Sequence, residues 1–215
     1  DAALTTHGVD GELAVLGTEV ERVKRTDTGE TILNNAEPLQ GFNDLSVSTR
    51  RTALFVQDEW DPAENLSANL GLRWEKIQTQ SDSFATNVDN SSSVISPVGH
   101  LVWRFASPRK DQVRLSLTQS YKPPTTQNLI TRPNLNNKFP VPGPNAATSA
   151  DSAGNPNLKP ELAQGVDLAY ERYLNGGGIV SVNLFHRNIT DLIRNGTPEL
   201  ETVTWADVPR FVTRP

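Results

Sequence analysis

The strongest constraint on this chain is an alternation of apolar and polar side chains with a period of two. In 66–76, Leu66, Ala68, Leu70, Leu72 and Trp74 share one face, while Ser67, Asn69, Gly71, Arg73 and Glu75 share the other. In 113–121, Val113, Leu115, Leu117 and Tyr121 oppose Arg114, Ser116, Thr118 and Ser120. In 165–172, Val166, Leu168 and Tyr170 oppose Gly165, Asp167, Ala169 and Glu171. Successive side chains of a strand point to opposite faces, so each stretch predicts a strand between two different environments. Weaker alternation predicts further strands over 50–60, 97–105, 179–187 and about 12–24, with 209–214 as an eighth. No stretch carries a helical period, and the fold class is all-β.

The links between these strands alternate in length. Short turns are expected at 61–65, 106–111 and 174–178, and long connections at about 25–47, 77–94, 122–163 and 195–208. An antiparallel up-and-down meander of about eight strands, with one economical end and one elaborated end, gives this order.

The two faces indicate the solvent. One carries Arg73, Glu75, Arg114, Asp167 and Glu171, which a packed sandwich core would not accept unpaired. The other is aliphatic in the middle and aromatic toward the ends. Trp60, Trp103, Phe105, Tyr170 and Tyr173 fall near the short turns, and Trp74 and Tyr121 near the long links. Aromatic girdles around an aliphatic band suit a bilayer, because amphipathic rings favour the headgroup level. A soluble antiparallel sheet with one wet face would give the aromatics no special role, and that reading stays open on pattern alone.

Composition narrows the function. No unbroken apolar run is longer than Ala53–Val56, far below the about 18 residues of a membrane helix. A mean hydropathy of −0.46 is compatible with a β-barrel, whose strands average apolar and polar residues. The net charge of −5 argues against a nucleic-acid partner, which would demand a basic face. Without cysteine there is no disulfide, thiolate metal site or cysteine nucleophile. His7, His100 and His186 stand alone, so neither a metal site nor a cofactor is expected. No nucleophile elbow, phosphate loop or isolated acid–base pair points to an enzyme. The chain has no methionine, even at position 1, which reads as a piece of a longer or processed protein.

Several stretches, taken in order, resemble the barrel of TonB-dependent outer-membrane receptors of Gram-negative bacteria. They are TALFVQDEW (Thr52–Trp60), LSANLGLRWE (Leu66–Glu75), SPVGHLVWRF (Ser96–Phe105) and LSLTQSYKPPTTQNL (Leu115–Leu129). NPNLKPELAQGVDLAYER (Asn155–Arg172) and GGGIVSVNLFHRNITDLI (Gly176–Ile193) complete the set. The resemblance implies a segment of a barrel of about 22 strands whose plug domain and TonB-contact segment lie outside this chain. It implies outer-membrane lipid around the wall, TonB acting through the missing plug, and uptake of a scarce nutrient, most often a ferric siderophore. The long links would then be extracellular and the short turns periplasmic.

Within that reading, 122–163 holds eight of the fifteen prolines (123, 124, 133, 140, 142, 144, 156 and 160), as suits an exposed loop that must not pair as a strand. Lys122, Arg132, Lys138 and Lys159 outnumber Asp151 and Glu161 there, an excess that would draw an anionic ferric chelate. Tyr121, Lys122, Arg132, Lys138 and Lys159 are therefore the candidate ligand contacts. Arg73, Glu75, Arg114, Asp167 and Glu171 would face the lumen and pair across strands. Trp60, Trp74, Trp103, Phe105, Tyr170 and Tyr173 would form the membrane girdles. Two other functions fit parts of the pattern. A closed eight-stranded structural or adhesive barrel requires a ladder between first and last strands. A secreted carbohydrate-binding sandwich requires a second sheet over the aliphatic face.

Overall fold

The computed structural model describes residues 2–9, 12–27, 45–83, 87–105, 111–131, 133–136, 138–139 and 143–215. Eight strands form one antiparallel sheet: β1 (Ala2–Val9), β2 (Glu12–Asp27), β3 (Leu45–Ala63), β4 (Leu66–Ser83), β5 (Val88–Arg104), β6 (Gln112–Lys122), β8 (Glu161–Tyr173) and β9 (Ile179–Thr190). Each pairs with its neighbour in chain order, apart from β7 (Asp151–Ser152), which lies in a second sheet between β6 and β8. That sheet has the order β10 (Glu199–Glu201), β11 (Arg210–Thr213), β7.

The ladders keep the alternation in phase from strand to strand. Leu54 pairs with Trp74, and Trp74 with Ile95, so these three lie on one face at one height. Ala53, Glu75 and Val94 lie beside them on the other face. The first face is open: Leu70 is 57% and Leu184 64% exposed, with Leu16, Val56, Leu72 and Ile95 similarly bare. The second face is where burial occurs, with Ala53 and Glu75 at 0% and 4%. This is the reverse of a soluble sheet, whose apolar face is covered, and it corrects the sandwich reading. Among the described residues β1 and β9 share no ladder, so the sheet is an open arc and the closed eight-stranded barrel is not formed.

The strand inventory departs from the alternation at three places. The eighth strand of the meander is β1, while the expected strand over 209–214 appears as β11 in the small sheet, where Arg210 and Val212 are buried. The connection expected over 77–94 is mostly strand, since β4 runs to Ser83 and β5 starts at Val88. Gln78, Gln80 and Asp82 share their face with Ser91 and Ser93, so that face is polar and the alternation vanishes. The ladder nevertheless continues, helped by a Thr49–Thr79 hydroxyl contact of 3.2 Å. Third, the link 122–163 is folded, with a helix α1 (Thr126–Leu129), a 3₁₀ turn at Ala147–Ser149 and β7. The Thr125 hydroxyl caps α1 by accepting from the Asn128 amide at 3.3 Å.

The economical end is made of tight turns. After β3 only Glu64 and Asn65 precede β4, and Leu174–Gly178 joins β8 to β9. There Gly177 (φ 80°) and Gly178 (φ 118°) take backbone conformations that L side chains resist. Most of the expected turn 106–111 and of the expected link 25–47 lies outside the described residues.

Candidate functional site

The inner face of the arc is a set of ion pairs across and along strands. Arg73 donates to Glu75 at 2.7 Å and to Glu19 on β2 at 2.8 Å. Arg51 meets Glu21 at 3.4 Å. Arg114 on β6 pairs with Glu171 on β8, which also accepts from Gln112 at 2.6 Å and from the Tyr173 hydroxyl at 3.3 Å. Arg187 on β9 grips Asp167 through both carboxylate oxygens, at 2.8 and 2.9 Å. In each pair at least one side chain keeps about a third or more of its surface in solvent, so each is worth little in isolation. Their sum is a polar inner wall with most charges compensated.

Two glycines make room for this wall. Gly17 pairs with Phe55, and a Cβ there would run into the Phe55 ring. The ring lies down over the glycine and offers its face to the Arg73 guanidinium, 5.6 Å from the centroid. Gly165 pairs with Arg187, and a Cβ would stand 2.8 Å from the guanidinium that spans it to reach Asp167.

Above these pairs the inner face of β3–β5 is covered by the link between β6 and β8. Val47 packs on Ile130, and Asn90 donates to the carbonyls of Pro156 and Leu158 at 2.7 and 3.1 Å. The small sheet holds that link in shape. Its centre is Asp151 and Arg210, both 0% exposed. Asp151 accepts from Arg210 at 2.7 and 3.0 Å, from the Trp205 indole at 3.1 Å and from the Asn136 amide at 2.9 Å. Arg210 also donates to the carbonyls of Gly143 and Phe139. Burial alone would raise the Asp151 carboxyl, but the bonds from Arg210, Asn136 and Trp205 hold it below the ordinary carboxylate value. Ala153, Val203 and Val212 form an apolar cluster beside it. Arg214 closes the far side with a bidentate contact to Glu201 and a 2.7 Å bond to the Gly154 carbonyl.

The expected ligand contacts are spread around this cap. Tyr121 is half-buried and hydrogen-bonded to Glu75 of the polar face, although the β6–β8 register keeps it in phase with Leu117. The β5–β6 ladder ends at Val98–Thr118, and beyond it β6 pairs with β8 alone. Lys122 is engaged by Glu161 at 3.3 Å. Lys138 and Lys159 are exposed, and neither meets a carboxylate among the described residues. Arg132 lies outside the described residues.

Of the aromatic set, Trp60, Trp103, Phe105 and Tyr170 stand on the outer face near the short turns, and Trp103 and Phe105 pack at 4.7 Å between centroids. Trp74, also outward, is half-buried at the upper edge of the apolar band. Tyr173 departs from the expected girdle: it lies two residues from Glu171, hence on the same inner face, and its hydroxyl bonds that carboxylate. The residues that the alternation could not single out are Arg210, Asp151 and Trp205. Only the buried pairing of charges in a Pro- and Asn-rich stretch would have marked them.

Three comparisons bear on this architecture. The family model described as TonB dependent receptor-like, beta-barrel matches residues 3–201. Among solved structures, the alcaligin outer membrane receptor FauA from Bordetella pertussis is similar at a TM-score of 0.54 and 12% identity, covering 99% of this chain and 32% of that one. A variant of the ferric enterobactin receptor PfeA from Pseudomonas aeruginosa reaches 0.48 at 13% identity, covering 99% and 38%. The siderophore receptor PirA from Pseudomonas aeruginosa reaches 0.41 at 12% identity, covering 99% and 46%. The chain thus spans about a third of the length of FauA. No curated protein matches it.

Proposed function

Since the chain belongs to the TonB-dependent receptor β-barrel family and to the outer membrane of a Gram-negative bacterium, we propose that it forms part of the wall and ligand-facing cap of an uptake receptor. The nutrient is a ferric siderophore, and the partners are outer-membrane lipid and, through a plug domain, TonB. The strand ends that carry the long links face the cell exterior, and the short turns face the periplasm. Ligand meets the folded cap first, with Lys138, Lys159, Arg132, Lys122 and Tyr121 as the residues that draw and contact it.

The observation that carries this reading is the charge of the cap. Both acids of the link between β6 and β8 are occupied, Asp151 by Arg210 and Glu161 by Lys122, while its Lys138 and Lys159 stand exposed without a carboxylate among the described residues. A surface left with uncompensated cations attracts an anionic ferric chelate and repels free cations. No covalent chemistry is involved. The inner ion pairs give the wall a hydrated, charge-balanced lining along which a polar ligand moves.

The test is uptake of iron-labelled ferric siderophores by cells whose one receptor is the complete protein carrying this chain. Uptake of at least one anionic chelate, lost without TonB and reduced about threefold to tenfold by K138Q/K159Q, is expected. Growth on haem, cobalamin or a glycan through this receptor, with no ferric siderophore taken up, overturns the ligand class.

A further inference from the structure

The outer face of β2–β4 carries a group of cations that the inner wall does not account for. Arg22 and Lys24 on β2, Arg50 on β3 and Lys76 on β4 are all exposed. Arg22 and Arg50 are direct register partners. Lys76 is opposite Thr52 and Lys24 opposite Ser48, each one outward position from that pair. Steps of about 6.7 Å along a strand and about 4.8 Å between strands put the four charges in one patch. The outward positions around them include Thr18, Val20, Thr52, Gln78, Gln80, Ser91 and Ser93, and the outward acids of this end, Asp82 and Asp89, stand opposite Ser46 and Gln80 rather than opposite any of the four cations.

This patch differs from every other cation cluster of the sheet. Arg51, Arg73, Arg114 and Arg187 on the inner face each have a carboxylate, whereas none of the outward four has one among the described residues. Like charges directly opposite in a ladder destabilise it, so Arg22 and Arg50 gain from an external anion. The height is equally specific. Lys76 is the first outward residue of β4 above Trp74, and Trp74, Leu54 and Ile95 form the upper row of the apolar band. An anion reaching the patch therefore sits where the hydrocarbon ends, with its apolar part against Leu16, Leu54 and Leu72.

We propose that Arg22, Arg50, Lys24 and Lys76 bind the phosphate groups of a phosphorylated lipid standing in the leaflet beside the long-link end of the barrel. The guanidinium pair grips one phosphate through forked hydrogen bonds, and the two lysines flank it as point charges. The proposal rests on the wall reading and on nothing about the nutrient.

The complete receptor in a neutral detergent, titrated with diphosphoryl lipid A and followed by native mass spectrometry, tests it. One tightly retained lipid is expected, weakened about tenfold or more by R22Q/R50Q and about threefold by K24Q/K76Q. Dephosphorylated lipid A should bind at least about tenfold more weakly, and R104Q, at the short-turn end of β5, should change nothing. If R22Q/R50Q does not assemble, R22K/R50K keeps the charge and loses the fork, and an intermediate affinity is expected. Equal retention by wild type and neutralised pairs, or by the dephosphorylated lipid, overturns the site. Competition by millimolar inorganic phosphate assigns the patch to a soluble anion and overturns the lipid. Ferric uptake measured on the same variants separates this from the receptor reading, since it should persist where lipid binding is lost.

Discussion

The wall and the cap use the same ion-pair chemistry in opposite settings. In the wall, Arg73, Arg114 and Arg187 meet carboxylates on a wet face, and backbone ladders would hold the strands without them. In the cap, Asp151 and Arg210 meet with no solvent on either and tie together residues about sixty positions apart. The wall is robust because its order is repeated in every ladder. The cap is vulnerable because its order passes through one buried pair, and a buried charge left without its partner is far costlier than an exposed one.

The sharpest way to break that contrast is at its centre. R210M leaves the Asp151 carboxylate buried and unpaired and should cost the cap about 3–5 kcal/mol. Hydrogen exchange should rise steeply over 143–160 and 196–213, while the heat-modifiable mobility of the barrel is unchanged. Loss of both together would mean that the cap and the wall fold as one unit. The Arg210→Met, Asp151→Leu double variant should recover much of the loss, since the stranded charge is gone.

In the wall the largest local effect is expected at a glycine rather than at a charge. G17A drives a methyl into the Phe55 ring and should cost about 1–3 kcal/mol, read as a lower temperature for loss of the heat-modifiable band. Acid gives a third comparison. The Asp151 carboxyl is held below its ordinary value, so its stabilisation is complete above about pH 4 and fades as the pH falls through the lowered value. Protease nicking of the cap should therefore begin below about pH 4, and a nicking onset near neutrality would contradict the assignment. The smallest effect belongs to K122Q, whose ion pair with Glu161 is largely exposed on the lysine side and should change stability by about 0.5 kcal/mol or less.

The same contrast explains what the amino-acid sequence disclosed. The faces of β4, β6 and β8 were legible because alternation registers any boundary between two environments, and Leu70 and Arg73 mark it plainly. Where both faces are polar, as in Gln78–Ser83 and Ser91–Ser93, the boundary disappears and the strand looks like a loop. Tyr173 falls near a short turn as the girdle residues do, but its parity is that of Glu171, and parity decides its face. Asp151, Trp205 and Arg210 obey no period at all. Their association depends on long-range closure, which leaves no local trace, so by its sequence alone the cap resembles an exposed proline-rich loop.

The registration of β2 through β5, continuous in the β3–β4 ladder from Leu45 to Trp60, also bears on how such a wall can change over time. Leu16, Val56, Leu72 and Pro97 stand in one row across four strands. Loss or gain of one residue inside β3 would turn half of that strand inside out, sending arginines toward hydrocarbon and leucines into the lumen. Loss or gain of two residues would merely shift the rows. Lineages of this wall should therefore accumulate indels in even steps within strands and of any size between them. Most individual residues would be replaced along the way. A shared fold with FauA at 12% identity is what such a history would leave behind.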